Sequence, residues 1–221
     1  SLNRSCPESN FENAVRKGLA PDRGLYYPKT INKLSNSFFN EIESLSNIEI
    51  AYRGIEQFVG SEIPKYELKS IIEETINFDF PLKRIENSIS TLELFHGPTM
   101  AFKDVGARFM ARCLRHFNKN KKNEITVLVA TSGDTGGAVA NGFYGVEGIK
   151  VVILYPKGKV SQVQEKQLTT LGKNITAFEV NGTFDDCQDM VKRAFLDNEI
   201  TSIKELTSAN SINIARWLPQ M

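Results

Sequence analysis

Ile125-Thr126-Val127-Leu128-Val129-Ala130-Thr131-Ser132-Gly133-Asp134-Thr135-Gly136-Gly137-Ala138 is the most informative run in the chain. Its first part, Ile125 to Ala130, is short, apolar, rich in β-branched residues and free of charge. That composition fits a strand buried on both faces of a parallel sheet. The part that follows is a turn. Its glycines permit tight backbone paths and close approach of a ligand, and Ser132 and Thr135 add hydroxyls. A helix is expected from Gly136 to Tyr144, and the free N–H groups at a helix start suit an anion. No Gly-Lys-Ser/Thr follows, and the spacing is not G-x-G-x-x-G, so neither nucleotide-loop pattern applies. Two readings remain: a loop for an anion or cofactor, or a plain tight βα turn.

The pattern repeats outward. Val151 to Leu154 reads as a second buried strand and Ile175 to Val180 as a third. Between them, Val160 to Leu171 is an expected helix with Gly172 as its C′ residue, and Phe184 to Leu196 is another. Upstream, one or two strands fall within Leu82 to Leu94. Ala101 to Phe117 is an amphipathic helix whose apolar stripe is Phe102, Val105, Phe109, Met110, Cys113, Leu114 and Phe117. The alternation implies an α/β fold with a parallel sheet and helices on both faces. Residues 1–80 differ in tone. Helices are expected over Phe11 to Leu19, Asn36 to Leu45, Asn47 to Val59 and 64–78. We therefore divide the chain into an N-terminal helical region, 1–80, and an α/β region, 81–221. Asn210 to Leu218 opens one more helix, whose Trp217 and Leu218 require a surface to pack on.

Composition narrows the function classes. The chain has 221 residues, 41% hydrophobic and 24% charged, with a formal net charge of +1. Disorder is excluded by the apolar content. The lack of a basic surplus argues against nucleic-acid binding, and no apolar run is long enough to suggest a membrane span. Cys6, Cys113 and Cys187 stand far apart, with no metal or disulfide spacing, so a reducing, cytoplasmic location is expected. His96 and His116 are the only histidines. The dipole at a helix end accounts for His116, while His96 fits either a turn residue or a site residue.

Two further stretches carry candidate chemistry. In Leu94-Phe95-His96-Gly97-Pro98-Thr99-Met100-Ala101-Phe102-Lys103-Asp104, Thr99 is a candidate N-cap, which puts Lys103 in the first helical turn. The positive helix end and burial beside Phe102 would depress the amine's pKa. A neutral amine suits Schiff-base chemistry. The alternative is a solvated lysine paired with a carboxylate. In Ser208-Ala209-Asn210-Ser211-Ile212-Asn213, with Arg216 beyond, the residues suit either a phosphate or an ordinary helix cap.

Taken together, these stretches resemble the threonine synthases. Leu92 to Ala111 is similar to that family's pyridoxal-phosphate lysine motif, and Ala130 to Gly136 to its second signature. Leu154 to Lys166, Ser208 to Arg216 and Gly18 to Tyr26 are similar as well. The resemblance covers almost the whole chain in order. It implies the tryptophan-synthase-β type of fold and conversion of O-phospho-L-homoserine and water to L-threonine and phosphate. It also implies a pyridoxal-phosphate aldimine on Lys103, with the same amine moving protons at Cα and Cβ. Ser132, Gly133, Asp134 and Thr135 would lie beside the cofactor, and Asn210, Ser211, Asn213 and Arg216 at the substrate's phosphate. The family's cofactor-phosphate loop and the group facing the pyridine nitrogen lie C-terminal to the matched region. The chain is therefore expected to be an N-terminal half with a truncated large domain and little or no turnover alone. A phospholyase of the same kind, or a non-catalytic binding or assembly domain, is the alternative.

Overall fold

The computed structural model describes residues 1–220, and Met221 lies outside the described residues. A parallel four-stranded sheet forms the centre, in the order β5-β4-β3-β6. Its strands are β3 (Ile125–Ala130), β4 (Ile149–Pro156), β5 (Ile175–Val180) and β6 (Glu205–Ser208). β3 is buried at every position, and its side chains alternate between two cores. Ile125, Val127 and Val129 join the larger core, whereas Leu128 and Ala130 join a smaller one with Leu154, Cys187 and Val191. The helices accordingly lie on both faces, as the β-α alternation implied.

Helix α5 (Asp104–Asn118) packs against α6 (Asp134–Phe143) on the large-core face. α7 (Gln162–Thr169) packs on α6, and α8 (Phe184–Leu196) covers β3 and β4. The bounds of α8 match the sequence expectation because Thr183 and Asp186 form a reciprocal capping box. Other bounds shift for local reasons. α6 starts two residues early, taking in Asp134, a carboxylate favoured at the positive helix end. α7 is shorter than expected because Ser161 caps it. Gly172 lies beyond its end, at φ +67, where the chain turns into β5. β6 and the preceding α9 (Asn198–Ile203) were not expected.

The N-terminal helices are α1 (Phe11–Lys17), α2 (Asn36–Glu41), α3 (Asn47–Val59) and α4 (Lys65–Thr75). Side chains of α1, α3 and α4 enter the same large core as the sheet. Buried Arg16 forks onto Glu205, Nε to Oε1 at 2.7 Å and Nη2 to Oε2 at 2.5 Å, tying α1 to β6. At the other end, α10 (Ile214–Trp217) is a single turn capped by Asn213. The surface that Trp217 and Leu218 require is internal. Trp217 stacks on Tyr27 with ring centroids 5.7 Å apart, and Leu218 is buried in the large core. The remaining strands, β1 (Leu82–Glu86) and β2 (Ile89–Leu92), make a separate antiparallel hairpin, exposed at every position. Among the described residues no helix is long and apolar enough to cross a membrane.

α5 and α10 touch through Gly106, where a Cβ would run into the Arg216 carbonyl oxygen. In Gly106→Ala, overpacking of about 1–3 kcal/mol is expected to exceed the gain of about 1 kcal/mol in helix propensity. A lower urea midpoint would report this, and an unchanged midpoint would show that the helices separate freely.

Candidate functional site

The carboxyl ends of parallel strands are where α/β sheets place ligands, and the candidate residues gather there. Thr131, Ser132 and Gly133 leave β3, and Ala209 and Asn210 leave β6. The segment before α5 brings in Lys103. Its Nζ lies 2.9 Å from both carboxylate oxygens of Asp134 and 5.4 Å from the centre of the Phe102 ring. The Lys103 side chain is 25% exposed and that of Asp134 45%, so solvent reaches the pair. An open cleft of about 630 Å³ adjoins it, lined by Leu94, Phe95, Met100, Phe102, Asp134 and Gln164 among others.

Lys103 does not sit in the first turn of α5 under a Thr99 cap. It is itself the N-cap residue, with no side-chain cap bond. Thr99 instead donates its N–H (2.9 Å) and hydroxyl (2.5 Å) to the carboxylate of Asp104. Asp104 is only 1% exposed, and with Thr99 bound to it residues 99–103 form a turn rather than helix.

Thr131 organises the second loop, a role the sequence reading missed. Its Oγ1 accepts the N–H groups of Gly133 (3.0 Å) and Gly136 (2.8 Å). The N–H of Thr135 bonds Asp134 Oδ1 at 2.9 Å. The loop's N–H groups are therefore largely used internally, which corrects the expectation that they stand free for an anion. Gly133 has φ +149, and a Cβ there would lie 2.5 Å from Gln164 Oε1, so α7 closes directly over the loop. Ser132 is exposed, and Thr135 is half-buried.

The four phosphate candidates separate. Ser211 is exposed and Asn210 half-buried. Asn210 anchors its own loop by donating Nδ2–H to the Ala130 carbonyl at 3.2 Å. Asn213 is 0% exposed. Its Nδ2 donates to the Val15 carbonyl at 2.7 Å, and its Oδ1 accepts from Ala215 N–H at 3.0 Å. Arg216 is 4% exposed, with Nη1 donating to the Lys103 carbonyl at 3.0 Å. Burial lowers its pKa to about 10, partly offset by the charge of Asp104. Asn213 and Arg216 thus lie beneath the site. His96 pairs with Glu93 at 2.7 Å, at the edge of this region.

Residues 85–218 match the sequence family described as pyridoxal-phosphate dependent enzyme. The chain belongs to that family. Residues 1–76 match a second family, described as threonine synthase N terminus. The threonine synthase of Buchnera aphidicola subsp. Acyrthosiphon pisum is 47% identical over the whole chain, which covers 52% of that relative. The crystal structure of threonine synthase from Escherichia coli superimposes with TM-score 0.88 at 44% identity, covering 96% of this chain and 49% of that one. The crystal structure of pyridoxal-phosphate-bound threonine synthase from Brucella melitensis gives 0.91 at 37% identity, covering 98% and 48%. The chain spans about half the length of the curated relatives it matches.

The residues present fit the aldehyde end of pyridoxal phosphate. They offer a primary amine, solvent-accessible yet fixed by a carboxylate, beside an apolar cleft. In the loop from Thr131 to Gly137 the N–H groups of Gly133, Thr135 and Gly136 are taken and so do not serve the phosphate end. In Thr131→Val, two buried N–H groups lose their acceptor, at about 1–3 kcal/mol each. The expected result is a clearly lower urea midpoint, and an unchanged midpoint would remove Thr131 from this role.

Proposed function

We propose that this chain is the lysine-bearing part of a threonine synthase, acting on O-phospho-L-homoserine and water to give L-threonine and phosphate. The observation that carries the reading is the placement of Lys103 beside the Thr131–Gly137 loop and an apolar cleft, at the carboxyl end of a buried parallel strand. Its support is the 44–47% identity to bacterial threonine synthases across the chain. Bound pyridoxal phosphate supplies an electron sink for charge developing at the substrate's Cα. Lys103 holds the cofactor through its amine and then moves protons at Cα and Cβ. Asp134 orients that amine, and Ser132, Gly133 and Thr135 border the cofactor. Asn210 and Ser211 meet the substrate's phosphate, with Asn213 and Arg216 supporting them from beneath. Phe95, Phe102 and Met100 line the apolar side of the cleft. The isolated 221-residue chain turns over slowly or not at all in this reading, because its cleft is open on one side. All three cysteines are free, and Cys113 and Cys187 are buried, which suits the cytoplasm.

The test is incubation with pyridoxal phosphate, borohydride reduction and peptide mapping. A pyridoxyl adduct concentrated on Lys103, and lost in Lys103→Arg, is expected. Adducts spread over the lysines by exposure alone would overturn the reading. Where turnover is measurable, threonine separates this function from a phospholyase, which would release a keto acid.

A further inference from the structure

Arg216 was grouped by sequence with the phosphate candidates, yet its guanidinium is buried where a substrate cannot reach. Its Nη1 donates to the Lys103 carbonyl at 3.0 Å. That carbonyl also accepts the Ala107 N–H, the first helical bond of α5, at 3.0 Å. The peptide unit that roots the Lys103 side chain is thus held by its own helix and by a cation from the far end of the chain. Asp104, one residue on, has its carboxylate occupied by Thr99, and its negative charge favours the charged form of Arg216. Arg216 is itself firmly seated. Its backbone presses on Gly106, and Asn213, the cap of its helical turn, is bonded to Val15. The Arg216 Nε is buried without a hydrogen-bond partner. A guanidinium kept in so poorly satisfied a place is expensive as a packing element alone.

We propose that Arg216 is a positioning residue for Lys103, fixing the backbone from which the amine reaches Asp134 and, on the reading above, the cofactor. It acts through the Lys103 carbonyl and touches neither cofactor nor substrate. Arg216 sets the starting point of the lysine side chain, and Asp134 sets its end. Removing Arg216 leaves the Lys103 carbonyl held by the Ala107 N–H alone, and removing Asp134 frees the amine end. Reactions that need a near-attack geometry are sensitive to shifts of this kind.

The test uses the purified chain with Arg216→Gln and Arg216→Lys, and two readouts. The first is limiting acetylation with acetic anhydride, read by mass spectrometry as the ratio of Lys103 to exposed Lys150. The ratio is expected to rise several-fold in Arg216→Gln as the amine leaves Asp134, with Arg216→Lys intermediate. The second is the rate of borohydride-trapped pyridoxyl labelling of Lys103, expected to fall about tenfold in Arg216→Gln. A purely structural role predicts a lower melting temperature with an unchanged Lys103-to-Lys150 ratio, and that result overturns the proposal. If Arg216→Gln does not fold, as judged by circular dichroism, the ratio in Arg216→Lys decides: raised supports, unchanged overturns. If the wild-type chain takes no cofactor on Lys103, the functional reading fails by itself, and the acetylation ratio still decides the role of Arg216.

Discussion

A strand with no exposed residue must be covered on both faces, and β3 imposes that requirement on everything around it. Its odd-numbered residues face one core and Leu128 and Ala130 the other, so two layers of helices are obligatory. One layer is α8. The other is α5 and α6 backed by the N-terminal helices, whose residues lie in the same core as the sheet. The helical region is therefore part of the fold's energetics and not an appendage. Burying this apolar surface supplies the main driving force, and several of the polar groups that enter the core are bonded there. Thr207 and Asn213, for example, both donate to the Val15 carbonyl.

The site inherits its rigidity from the same strand. Where β3 ends, the backbone can no longer bond to its neighbours, and Thr131 takes over the N–H groups of the turn. Asp134 is thereby held at the start of α6, and Lys103 meets it from the start of α5. Each of the two charged side chains springs from a helix terminus braced by buried polar contacts. Such bracing is the arrangement that precise chemistry requires of its supporting structure. The apolar cleft beside them is open, which leaves room for a flat aromatic ligand.

Much of this was legible in the sequence where a local signal was strong. Ile125 to Ala130 announced a buried strand by lacking any charge, and the helix expected over Phe184 to Leu196 is α8 with those bounds. The loop at Ser132 to Thr135 was found by its glycines and hydroxyls. Other features depended on contacts between distant residues and left no local trace. β6 is four residues long with a single strongly apolar side chain, and it is a strand only because β3 offers it an edge. Thr99 looked like a helix cap, but Asp104, five residues on and buried by the fold, takes both its donors instead. Arg216 and Asn213 carried the composition of a phosphate site, but their burial follows from docking against residues far away in the chain.

That long reach has a kinetic consequence. Arg16 pairs with Glu205, and Val15 receives its hydrogen bonds from Thr207 and Asn213, so the second helical turn of the chain is secured by its last strand and final helix. During synthesis at about 5–20 residues per second, α1 waits roughly 10–40 s for these partners to be made. Contacts of such separation also slow folding, because distant segments must find each other before the bonds repay the lost freedom. Until then, Phe11, Ala14 and Val15 present an apolar face to solvent. The interval between their synthesis and the arrival of β6 leaves that face without its native cover, and transiently exposed apolar surface of this kind is prone to mispairing.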